Sequence, residues 1–254
     1  MGGEDGSERT LTYTNAAEET RSAQTRKREP RDVYVVSCQV LQRALQPLLD
    51  KLPELASCSF MDYGLHCTPG EMASELQVVL DAAVKPGIVL LGYGLCGNGL
   101  VGLRAGRHTL VIPRTDDCIA ILMGSYQKYL EDFQRHPGTY YLSEGWLESG
   151  FHPLGQLREW SERHGEEKAR QLIARVYVHY QRVVLVAFTP EELSRYRSES
   201  QAVADLLGVV YDEMLGTPTL LERLVWQVDA TDLDRDEFVV IPPGAEVQQM
   251  DFVR

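Results

Sequence analysis

At 254 residues and 44% hydrophobic content, the chain carries enough apolar material for one large α/β domain. A formal charge of -12 argues against nucleic acid as a partner, because an acidic surface repels a phosphate backbone instead of releasing its counterions. No apolar run approaches the ~20 residues of a bilayer-spanning helix, and no basic-then-apolar leader opens the sequence, so a cytoplasmic location without membrane contact is expected.

In chain order, residues 1–32 are polar and lack apolar periodicity, which predicts a disordered tail ahead of a single α/β domain over 33–254. Val33 to Cys38 (V-Y-V-V-S-C) predicts a first strand. Helical spacing over Gln39 to Asp50 follows, with Pro47 expected to kink the helix or lie near its end. Ser57 to Tyr63 is a weaker strand. Thr68-Pro69, with Glu71 three residues after Thr68, signals a helix start, and that helix is expected to reach about Val84. Ile88 to Leu91 is four apolar residues in a row before Gly92, the pattern of a strand buried on both faces of a parallel sheet.

A glycine-rich loop then runs to Gly106, and Thr109 to Pro113 predicts a fourth strand. Arg114-Thr115-Asp116-Asp117-Cys118 opens an apolar helix with Ile119, Leu122 and Met123 at core spacing. Thr139 to Trp146 reads as an extended segment or loop rich in aromatics, and Arg158 to Arg175, within 155–178, as a solvated helical excursion. Val183 to Phe188 is a buried strand, and Thr189-Pro190 repeats the helix-start signal. Gly208 to Tyr211 (a strand), Leu220 to Trp226 (a helix) and Phe238 to Ile241 (a last strand before Pro242-Pro243-Gly244) complete the chain. Strands alternating with helices predict a mostly parallel, doubly wound sheet with helices on both faces.

The five cysteines are too few and too odd in number for a secreted disulfide scaffold. Cys38, Cys96 and Cys118 each fall just past the carboxyl end of a predicted strand, and in a doubly wound sheet those ends open onto one edge. Three converging thiolates suit zinc or an iron-sulfur cluster with one position left open for substrate. His66, after another strand, is a candidate fourth ligand or acid-base group, and Asp117 a second proton carrier. Arg114 is a candidate anchor for an anionic group. Tyr140, Tyr141 and Trp146 are candidate walls, with Ser143-Glu144-Gly145 expected to turn the indole somewhere specific. Against this stands the simple alternative that buried cysteines fill the core. Cys58 and Cys67 are read as structural, with Cys67 a reserve ligand.

Gly92, Gly94 and Gly97 spell G-x-G-x-x-G after a strand, with Asp116 downstream, so a dinucleotide has to be weighed. The motif ought to open a helix, yet Gly99, Gly102 and Gly106 follow, which opposes that reading. Gly94, Gly97 and Asn98 remain candidates for close backbone approach to a bound cofactor.

Tyr93-Gly94-Leu95-Cys96-Gly97-Asn98-Gly99, Arg114-Thr115-Asp116-Asp117-Cys118, Gly138 to Leu142 with Gly145-Trp146, and Pro242-Pro243-Gly244 together resemble a conserved prokaryotic domain family of unknown function. The resemblance covers most of the chain from Val33 onward. It implies that Cys38, Cys96 and Cys118 belong to a shared pattern. It also implies a setting near corrinoid-dependent methyltransferase systems, with a corrinoid protein or methyltransferase as partner.

Three functional readings stand. The first is a protein with a three-cysteine metal or iron-sulfur site that acts on a small molecule in one-carbon or corrinoid-linked metabolism. The second is a non-catalytic accessory that binds a corrinoid, a metal or a methyltransferase. The third is a metal-free enzyme with Cys96 as nucleophile, its thiolate supported by nearby backbone amides.

Overall fold

The computed structural model describes residues 32–226 and 234–254, all within one compact unit; most of the predicted tail, residues 1–31, lies outside the described residues. The elements run β1 (Asp32–Cys38), α1 (Gln42–Leu49), β2 (Leu55–Met61), α2 (Pro69–Ala82), β3 (Gly87–Gly92), β4 (Thr109–Pro113), α3 (Cys118–Met123) and α4 (Tyr126–Arg135). They continue through β5 (Thr139–Leu142), α5 (Glu144–Ser149), α6 (Pro153–His164), α7 (Glu166–Val176), β6 (Arg182–Ala187), α8 (Pro190–Leu207), β7 (Val210–Leu215), α9 (Thr219–Trp226) and β8 (Phe238–Ile241). β1 already includes Asp32, the last residue of the predicted tail. Among the described residues, no helix is long and apolar enough to cross a membrane.

Local chemistry accounts for most of these boundaries. Pro47 lies inside α1, which continues only to Leu49, as expected of a residue without an N–H to donate. The two Thr-Pro starts differ. Thr189 Oγ1 accepts from the Glu192 N–H at 3.1 Å and caps α8, whereas Thr68 makes no side-chain cap and α2 relies on Pro69 in its first turn. The helical excursion is two helices, α6 and α7, divided at Gly165, whose φ of 81° suits a residue without Cβ. Ala169 and Ile173 of α7 are buried.

The strands form two sheets. One has five strands in the order β2-β1-β3-β4-β8, with β1, β2, β3 and β4 parallel and β8 antiparallel to β4. The other has three parallel strands in the order β5-β6-β7. The mostly parallel α/β class agrees with the sequence expectation. The division into two sheets was not expected, and its cause is visible: β8 returns from the far end of the chain to occupy the free edge of β4, so β5 has no edge there to join.

β6 connects the two layers. Along a strand successive side chains face opposite ways, and here Val184 and Val186 enter the larger core while Val183, Leu185 and Ala187 enter a second core with Leu193, Tyr196, Val203 and Ala204 of α8. Within the five-stranded sheet, β1 lies between β2 and β3, so the chain leaves β1 on one flank and returns on the other. The carboxyl ends of β1 and β3 thus frame the switch point at which open α/β sheets place their ligands.

Candidate functional site

Cys38 is the last residue of β1 and is fully buried. β3 ends at Gly92, and the chain continues through turns, not a helix, so the glycine motif lacks the helix N-terminus that a dinucleotide phosphate requires. In this loop Cys96, Gly97 and Asn98 have φ values of 49°, 64° and 69°. Left-handed backbone at a non-glycine thiol is a strained conformation that neighbouring structure must hold in place. The holding contacts are the Leu95 and Cys96 N–H groups, which donate to the Thr115 and Asp116 carbonyls at 2.8 Å each. Those bonds bring Cys96 against the segment that ends in Cys118, the first residue of α3.

Cys38, Cys96 and Cys118 are 0%, 6% and 3% exposed, and all three are free thiols. Each of Cys96 and Cys118 is close enough to Cys38 for a charge on one to disfavour a charge on the other, and Cys96 acts on Cys118 in the same way. Burial pushes the Cys38 thiol up to about 11, and pushes Cys96 and Cys118 well above the ordinary thiol range, so all three are protonated at neutral pH. His66 Nε2 stands 3.3 Å from Cys38 Sγ, and burial lowers the imidazole pKa, which keeps the ring neutral.

A cavity of about 260 Å³ opens beside Cys118, which lines it together with His66, Asp117, Ile119, Thr139, Tyr140, Tyr141 and Trp146. Its far wall comes from β5 of the second sheet. The expected aromatic walls are therefore present, although Trp146 arrives on helix α5 and not on a tight turn. Ser143 Oγ accepts from the Trp146 N–H at 3.5 Å at the start of that helix. The indole packs on His66 with ring centroids 5.2 Å apart, and its hydrogen bond to Cys118 favours the thiolate.

The structure brings some of the predicted residues together and separates others. Asp117 and His66 line the cavity. Asp117 is also the N-cap of α3, where Oδ1 accepts from the Ile119 N–H at 2.8 Å and Oδ2 from the Tyr129 hydroxyl at 3.3 Å. Burial raises its carboxyl pKa. Arg114 does not line the cavity; its N–H donates to the Glu237 carbonyl at 2.7 Å and its carbonyl accepts from Arg254 at 2.8 Å. Gly94 serves packing, since a Cβ there would meet Thr115 Oγ1 at 2.6 Å and the Asp117 backbone at 2.8 Å. Gly97 and Asn98 lie on the exposed turn, away from the cavity lining. The reserve ligand Cys67 ends the short 3-10 helix that carries His66.

Sequence reasoning missed Tyr93, whose ring is buried beside the three sulfurs. The signal was a bulky aromatic set between two glycines. It also missed the support behind Tyr141: its hydroxyl donates to Asp132, Arg182 donates to the same carboxylate, and Arg182 Nε donates to Thr139 Oγ1 at 3.1 Å.

No curated protein and no solved structure matches the chain. Residues 60–225, which include Cys96, Cys118, His66 and the whole cavity lining, match the family described as "Protein of unknown function (DUF1638)". The chain therefore belongs to the DUF1638 family.

Proposed function

We propose that this is a cytoplasmic protein that binds a thiophilic metal, zinc or an iron-sulfur cluster, through Cys38, Cys96 and Cys118, and acts on a small molecule in the adjoining cavity. What supports this reading is that three thiols from three separate strand ends lie within electrostatic reach of one another, and that one of them, Cys118, lines a cavity. The donor chemistry fits: three sulfurs and a neutral imidazole are soft ligands, and a bound cation supplies the charge that lets thiols ionise in so dry a place. As the side chains stand, no three of the His, Cys, Asp and Glu residues among the described residues are arranged to hold a metal ion.

Once bound, the metal would act as a Lewis acid on a substrate group. Asp117 and neutral His66 on the cavity lining would carry protons, and Tyr140, Tyr141 and Trp146 would exclude water. The setting in one-carbon or corrinoid-linked metabolism, with a corrinoid protein or methyltransferase as partner, rests on the family resemblance alone.

A second reading is a metal-free cysteine nucleophile. The 3.3 Å contact between Cys38 and His66 favours it, since a thiol beside a base is the usual activated pair. The complete burial of Cys38 and the raised thiol pKa values weigh against it. Metal analysis and an ultraviolet-visible spectrum of anaerobically purified protein separate the readings. Zinc or iron-sulfur absorption that disappears in Cys118→Ser is the expected result. Stoichiometric alkylation of Cys38 or Cys96 with no metal present would sink the metal reading. Co-purification with a partner, without metal or turnover, would leave the non-catalytic accessory.

A further inference from the structure

Away from the sulfurs, helix α4 and the carboxyl end of β7 flank a second cavity of about 260 Å³. α4 contributes Lys128, Glu131, Asp132 and Arg135, which are spaced i, i+3, i+4 and i+7 and so share one helical face. Tyr129 of the same helix is buried and Leu130 packs on the larger core, which holds α4 in place. The floor is apolar: Met123 from the end of α3, with Met214 and Leu215 from the end of β7. The backbone fixes this floor. The Gly216 N–H donates to the Ala187 carbonyl at 2.9 Å and the Thr217 N–H to the Leu122 carbonyl at 3.2 Å, and position 124 has no room for a Cβ beside Thr217. The cavity is thus formed before anything enters it.

Two features of the lining say what it would take. Leu215 is 53% exposed and Met214 is only partly covered, so apolar surface remains open to a ligand, and thioethers adapt to many apolar shapes. The charges are the second feature. Both acids are already engaged: Asp132 binds Arg182 and Tyr141, and Glu131 accepts from Gln127 at 3.1 Å and lies 3.5 Å from Arg135. The Lys128 ammonium makes no ion pair or hydrogen bond among the described residues, in a chain whose net charge is -12. The lining therefore offers one unpaired positive charge beside an apolar floor.

We propose that this cavity binds a small amphipathic anion, with its apolar body on Met123, Met214 and Leu215 and its anionic head on Lys128. A cation would be repelled by Lys128 and would find both acids occupied, whereas a neutral apolar molecule would leave Lys128 unused. The cavity shares no lining residue with the one beside Cys118, and this binding stands without the metal-binding function proposed above.

The test is equilibrium dialysis of the full chain against sodium octanoate, and separately against octylammonium chloride. Octanoate should bind and octylammonium should not, and hexanoate should bind more weakly than octanoate because it buries less apolar surface. Lys128→Gln should weaken octanoate binding about three-fold or more, while Lys51→Gln, the same charge change outside the cavity, should leave it unaltered. Leu215→Glu puts a like charge on the floor and should abolish binding. All three substitutions are at exposed positions, so the fold tolerates them. Cadmium chloride, a thiophilic probe that the cysteine site would take up, should leave octanoate binding unchanged. Absence of octanoate binding, octylammonium bound as tightly, or equal losses in Lys128→Gln and Lys51→Gln would overturn the proposal. Octanoate retained by Leu215→Glu or displaced by cadmium would overturn it as well, since the anion would then lie elsewhere.

Discussion

Two sides of one cavity handle buried polar groups differently. On the tyrosine side the charges are paired: Asp132 and Arg182, 13% and 11% exposed, bind each other, and Tyr141 and Thr139 join them. On the sulfur side the groups are neutral. Three thiols are kept protonated by burial, His66 is kept uncharged, and the Tyr93 hydroxyl has no partner among the described residues. Polar groups satisfied within the chain stabilise the fold, whereas a buried hydroxyl without a partner costs it stability.

The largest expected effect lies on the paired side. Asp132→Asn leaves the Arg182 guanidinium without its main counter-charge and should lower unfolding free energy by about 3 kcal/mol in urea titrations. Arg182→Met should cost a comparable amount, with the double variant well short of the sum. A loss of under about 1 kcal/mol for Asp132→Asn would erase the contrast between the two sides.

The next effect belongs to the sulfur side and depends on pH. The Cys38 thiol is raised by burial from 9.0 to about 11, so the unfolded chain gives up this proton first. Its contribution is fully present below about pH 9 and lost as pH rises to about 11, a change of roughly 2–3 kcal/mol. Cys58, also pushed up to about 11 by burial, adds to the same slope. Denaturant midpoints of metal-free wild type should therefore fall across this window, and Cys38→Ala should fall less steeply. Parallel curves would show that Cys38 is not desolvated.

Asp117→Ala removes the cap of α3 and the acceptor for Tyr129, with an expected loss of about 1 kcal/mol. Because α3 begins at Cys118, cadmium affinity should drop in parallel. Stability lost with affinity unchanged would separate the helix start from the sulfur site. The smallest effect is expected for Trp146→Phe, which keeps an aromatic ring beside His66 but removes the donor to Cys118. Stability should change by less than about 1 kcal/mol while cadmium affinity weakens a few-fold. Unchanged affinity would mean that the indole serves only as a wall.

Much of this was legible in the sequence because the relevant signals are local. Apolar runs at Val33 to Val36, Ile88 to Leu91 and Val183 to Ala187 mark strands buried on both faces, as the structure has them. Thr189-Pro190 marks a helix start through its own side chain and ring. The placement of cysteines after strand ends also follows from strand boundaries and chain order. Other features were not legible. Gly94 resembles a ligand-binding glycine in sequence, yet its space is taken by Thr115 and Asp117. Arg114 follows a strand end like Cys118, yet it lies off the cavity that Cys118 lines.

The sequence by itself determined the elements, their order and the mostly parallel α/β class, because backbone conformation responds to neighbours two to four residues away. Only the tertiary structure decided that β8 takes the edge of β4 and leaves β5, β6 and β7 to form a separate sheet. It alone decided that Trp146 meets His66 and that the Tyr93 hydroxyl is buried without a partner among the described residues. Edge pairing and hydrogen-bond satisfaction are settled by residues far apart in the chain competing for the same space. No local pattern records which of them succeeds.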